Sequence, residues 1–94
     1  MDDDTVSTND LKKFETKFGC IIKGMKSLDD IEDWLRSKPY IVSVKTAGYL
    51  IKTEPPKKEL VVTFRFDNSS TVTKVIDITL YPDQTFSMSG MHGQ

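Results

Sequence analysis

One histidine, one cysteine and no large excess of either charge leave this 94-residue chain short of the usual materials of catalysis and metal binding. Cys20 cannot form a disulfide within the chain, which fits a reducing compartment. Thirteen Lys and Arg stand against fourteen Asp and Glu. Sequence-independent nucleic-acid binding rests on a clear basic excess, so that balance predicts no nucleic-acid partner. No apolar run approaches the ~20 residues that span a bilayer, and Met1-Asp2-Asp3-Asp4 is acidic where a signal peptide is basic. The expectation is a cytoplasmic chain with no membrane partner.

The same scarcity limits chemistry. His92 lies three residues from the C-terminal end, where a frayed tail is expected, so a Ser-His or Cys-His pair is not indicated. Cys20 adjoins Ile21 and Ile22 and is expected to be a small buried hydrophobe. One His and one Cys do not make a structural zinc site, and no Asp-x-Asp-x-Asp-Gly loop is present. Asp67, Asp77 and Asp83 are spread over turns and a strand, and the five glycines form no phosphate loop. The expectation is a non-enzymatic chain with no catalytic residue, no cofactor and no metal.

What is present is alternation. Leu60, Val62, Phe64 and Phe66 are apolar and even-numbered; Val72, Ile76, Ile78 and Leu80 repeat the pattern, and Phe86 and Met88 continue it. Successive strand side chains point to opposite faces, so the even positions predict a core face and the odd positions a wet one. Tyr81-Pro82-Asp83-Gln84-Thr85 predicts a three-residue hairpin loop, with Leu80 opposite Phe86, Ile78 opposite Met88, and Gln84 in the left-handed region. A three-residue loop at Asn68-Ser69-Ser70 likewise predicts Phe66 opposite Val72 and Val62 opposite Ile76. Lys74 is the one even-numbered residue that does not suit a core and is expected near an edge or rim.

Ahead of these strands, Ser7, Thr8 and Asn9 offer caps for a helix with the stripe Leu11, Phe14 and Phe18, stopped at Gly19. Its Lys12, Lys13 and Lys17 lie off the stripe, which is expected to pack on the sheet rather than on a membrane. Ser27-Leu28-Asp29-Asp30 opens a second helix with the stripe Leu28, Ile31, Trp34 and Leu35, ended by Pro39. Its other side carries Asp29, Asp30, Glu32 and Asp33. Between the two helices, Cys20 to Ile22 is expected to be a connector with a buried apolar end. Tyr40, Val42 and Val44 share a predicted face, and Gly48 marks either a bulge in one long strand reaching Thr53 or a turn; the bulge is favoured. Pro55 and Pro56 require a loop.

The expected architecture is one α+β domain over 1–94, with 1–6 and 92–94 flexible: two N-terminal helices on one face of a four- to five-stranded antiparallel meander sheet. Helix-then-sheet order resembles that of cystatin-like and nuclear-transport-factor-like folds. The cystatin Gln-x-Val-x-Gly motif is missing, and element order assigns no function.

Two surfaces remain for recognition. One is the acidic helix face, Asp29, Asp30 and Asp33; the other is the wet sheet face, Thr63, Arg65, Thr71, Thr73, Asp77, Thr79, Tyr81, Thr85, Ser87 and Ser89. Phe64 and Phe66 fall on the core face, so Phe64-Arg65-Phe66 is not a base-stacking platform. The expected partner is another protein, met by an inhibitor, immunity-type protein or adaptor. A small-ligand or enzymatic pocket lined by Trp34, Tyr40 and Tyr49 is the alternative, and an unpaired edge strand leaves room for a homodimer or other self-associating subunit.

Overall fold

The computed structural model describes residues 4–46, 52–66 and 70–93. Two helices lie on one side of a four-stranded antiparallel sheet, the expected α+β arrangement. Helix α1 spans Thr8–Ile21, a short 3-10 turn spans Ile22–Gly24, and helix α2 spans Leu28–Arg36. Strands β1 (Ile41–Thr46), β2 (Lys57–Arg65), β3 (Thr71–Leu80) and β4 (Phe86–Gly93) complete the chain in a meander of order β1-β2-β3-β4.

Both helices start where their caps direct. The Ser7 hydroxyl accepts from the Asp10 backbone N–H at 3.2 Å while Asp10 Oδ2 accepts from the Ser7 N–H at 3.0 Å, a reciprocal capping box. The Ser27 hydroxyl caps α2 by accepting from the Asp30 N–H at 3.1 Å. Helix α1 does not stop at Gly19. It continues to Ile21 because Gly19 is helical in this context, and one more turn carries Ile22 into the core on the stripe Leu11, Phe14, Phe18, Ile22. That extension rotates Cys20 outward, so the cysteine is exposed rather than buried as expected.

The even-numbered strand face forms the core as parity requires. Leu60, Val62, Phe64, Ile76 and Ile78 are fully buried beneath Phe14, Phe18, Ile22, Ile31 and Leu35. Phe14 is its hub, with ring centroids 5.4 Å from Phe18, 6.0 Å from Trp34, 6.2 Å from Tyr40 and 5.1 Å from Phe64. Trp34 and Tyr40 are therefore packing partners of one aromatic cluster. Tyr49, the third residue expected at a pocket there, lies outside the described residues.

Turn chemistry holds best at the β3–β4 hairpin. Leu80 pairs with Phe86 and Ile78 with Met88, the Tyr81 N–H donates to the Thr85 carbonyl at 3.0 Å, and Gln84 has φ 68°. A left-handed non-glycine residue stores roughly 1 kcal/mol, and glycine gives part of that back through unfolded-state entropy. Gln84→Gly is accordingly expected to raise stability by roughly 0.5 kcal/mol, read as a higher thermal midpoint; a lower midpoint contradicts this. In the same loop the Thr85 hydroxyl (2.6 Å) and backbone N–H (3.0 Å) donate to Asp83 Oδ1, holding that carboxyl below its usual value of 3.8. A depressed folded pKa contributes stability above the unfolded pKa and loses it as pH falls through the folded one. Asp83→Ala is expected to flatten the loss of stability below pH 3.8, measured by urea titrations at stepped acid pH.

Four expectations are corrected. Val6, assigned to a flexible tail, is fully buried: its N–H donates to the Arg65 carbonyl at 2.9 Å, and it forms a parallel bridge to Phe66 on the β1 side of β2. His92 and Gly93, also expected to fray, belong to β4. The β2–β3 register is two residues away from the expected one, with Leu60 opposite Ile76, Val62 opposite Lys74 and Phe64 opposite Val72. A two-residue slide leaves every side chain on its face, so parity does not resolve it. In β1 the register shifts between Ile41 and Ser43, which turns Val42 outward (48% exposed) while Ile41 and Val44 face the core. That bulge sits at Val42; the one expected at Gly48 falls outside the described residues.

Candidate functional site

With both helices on the even face, the odd face of β2 and β3 is the open side of the sheet. Its centre is a facing pair, Val61 opposite Val75, and the next pair along is Thr63 opposite Thr73, with hydroxyls 3.2 Å apart. In the other direction Glu59 faces Asp77, and beyond them Lys57 faces Thr79. Most of these side chains are half-buried.

The sequence-predicted residues on this face are brought together only in part. Arg65 reaches back over the sheet edge, its Nη1 donating to the Pro39 carbonyl at 2.9 Å. Thr73 lies at the centre beside Val75, and Asp77 is half-buried two residues further on. Thr79 is not wet as parity implies. It is only 5% exposed, with its hydroxyl hydrogen-bonded to that of Ser89. The cause is a second bulge: the β3–β4 register shifts between Asp77 and Ile78, and the extra residue on β4, Ser89, leans onto Thr79. Tyr81 is exposed (41%) at the end of β3, its hydroxyl accepting from Ser87 at 3.3 Å.

The acidic set Asp29, Asp30 and Asp33 lies exposed on α2, in the helix layer, apart from the open sheet face. Asp29 and Asp30 occupy the first turn, where their charge offsets the helix dipole, so part of that acidity has a local structural role. Glu32 is paired with Arg36 at 3.1 Å, and Arg36 also donates to the Val44 carbonyl at 3.1 Å, which ties α2 to β1.

One convergence of side chains escaped the sequence. The Ser89 bulge inverts parity in β4, so Met91 turns toward the core cluster and His92 comes to the open face, where its Nε2 lies 3.4 Å from Asp77 Oδ2. Glu59 joins them from β2, and among the described residues these three are a group of potential metal ligands that converges, with ligand atoms within 4.8 Å of one another. As expected, the apolar stripe of α1, Leu11, Phe14 and Phe18, is taken up by the core and Lys12, Lys13 and Lys17 stay outside, where Cys20 joins them. No described helix is long and apolar enough to cross a membrane. Compared with protein-family models, with curated proteins and with solved structures, the chain matches none.

Proposed function

We propose that this chain is a small non-enzymatic binding module that engages another protein through the open face of its sheet. The observation that carries the reading is the pair Val61 and Val75, directly opposite one another at the middle of a face whose surroundings are Thr63, Thr73, Lys45, Lys57, Glu59 and Asp77. An apolar centre inside a polar, mixed-charge rim is the anatomy of a protein interface. A half-buried valine pair gains from being covered by a partner. An inhibitor, an immunity-type protein or an adaptor would use such a face; the acidic face of α2 has less to offer, since two of its three aspartates already serve the helix start.

The test is site-specific photo-crosslinking in the native lysate, with the reactive group at Thr73 or at Asp30. The reading predicts one partner band from the Thr73 probe, competed away by unlabelled chain, and none from the Asp30 probe. Crosslinking from Asp30 alone, or from neither position, overturns it.

A further inference from the structure

We propose that Glu59, Asp77 and His92 form a binding site for one divalent transition-metal cation of the zinc class, a site distinct from the apolar pair of the open face. The three come from three adjacent strands. Glu59 and Asp77 are direct cross-strand partners, and His92 lies diagonally across from Asp77, two residues beyond its partner Gly90. Only the Ser89 bulge gives His92 this face; without it an even-numbered residue in β4 would point with Met88 into the core.

Four features fit a cation. Ligand atoms held at about 2.0–2.2 Å from a tetrahedral ion stand roughly 3.3–3.6 Å apart, and His92 Nε2 lies 3.4 Å from Asp77 Oδ2. His92 Nδ1 is 3.3 Å from the Gly93 carbonyl, which only accepts; with the proton on Nδ1, Nε2 is free to face the carboxylates as a ligand. A backbone carbonyl holding the far ring nitrogen is the usual support of a metal-bound histidine. Asp77 Oδ1, the carboxylate oxygen other than the one beside His92, is buried without a partner among the described residues, an acceptor that a cation bound through both oxygens would satisfy. Gly90, opposite Asp77, puts no side chain beside the carboxylate, and the space a Cβ would take is open.

The donor set selects the class. Two carboxylates match the charge of a divalent ion, while an imidazole nitrogen favours zinc or its transition-metal neighbours over calcium, which takes six to eight oxygens. Three protein ligands on an open face leave further positions for water or for a donor from a partner.

The experiment is calorimetric titration of Zn2+ into the metal-stripped full chain carrying Cys20→Ser, so that the exposed thiol contributes nothing. One ion per chain is expected, with Glu59→Gln, Asp77→Asn and His92→Gln each weakening binding by at least about tenfold and Ca2+ failing to compete. His92 is exposed near the end of β4, so His92→Gln retains the fold, checked by circular dichroism. In nitrogen NMR of the unsubstituted histidine, Zn2+ should shift Nε2 more than Nδ1. Absence of saturable uptake, or affinity unchanged by His92→Gln, overturns the proposal and leaves His92 and Asp77 as neighbours on the sheet face alone.

Discussion

Phe14→Ala is expected to bring the domain close to unfolding at room temperature. Phe14 is fully buried, and its ring meets Phe18, Trp34, Tyr40 and Phe64, so it joins both helices to β2. Removing a buried phenylalanine costs about 3–5 kcal/mol, the transfer term plus the cavity left behind. A chain of this length holds roughly 5–14 kcal/mol in total. The cavity would not close cheaply, because the rings around it are held from opposite layers. Urea unfolding followed by Trp34 fluorescence should show the midpoint falling by roughly 2 M. A loss under about 1 kcal/mol would mean that the aromatic cluster is not the centre of the core.

Val6→Asp is expected to release the N-terminal segment and lose all the stability that its docking contributes, although composition alone marks residues 1–6 as a tail. Val6 is fully buried, and its backbone is fixed to Arg65 and Phe66. A carboxylate at that position meets apolar neighbours, and an uncompensated buried charge costs about 3–5 kcal/mol. The segment is short and precedes α1, so the chain has an escape: Val6 can detach while Ser7 keeps its cap. The loss is then limited to what the docked segment contributes, and Val6→Ala should lose about 1–2 kcal/mol. Urea midpoints of both variants, compared with a chain lacking residues 1–6, measure this. If all three equal the wild type, the segment is not part of the folded domain.

Much of the fold is legible because burial of one sheet face imposes a period of two, and the period survives in Leu60, Val62, Phe64, Ile76 and Ile78. The Pro82-Asp83-Gln84 loop is equally readable, since its closing pair and its left-handed residue are set by length and residue type. Where legibility ends, the cause is specific. A two-residue slide in the β2–β3 register changes no side chain's face, so hydrophobic pattern carries no information about it. The bulges at Val42 and Ser89 have no glycine at the inserted residue to announce them, and each reverses parity for the rest of its strand. Val6 is buried by a long-range bridge that no local pattern encodes. The candidate sites inherit these errors. Parity puts Asp77 and Thr73 on the open face, where they are, but it also makes Thr79 wet, and His92, set aside as part of a frayed tail, belongs to β4 and reaches the open face through the bulge before it. The lone histidine of a chain is therefore better judged after strand register than before it.

We propose that the open face of the sheet, not the acidic face of α2, meets the partner. The most direct measurement is the dissociation constant of the partner captured by the Thr73 probe for the wild type, for Val75→Lys and for the triple change Asp29→Lys, Asp30→Lys, Asp33→Lys. A charge buried at the centre of an interface costs at least a factor of about ten, whereas charges outside it shift affinity by no more than about threefold. Val75→Lys weakening binding about tenfold or more while the triple variant stays near the wild type is the predicted result. Unchanged affinity in Val75→Lys, with loss confined to the triple variant, would instead place the partner on α2.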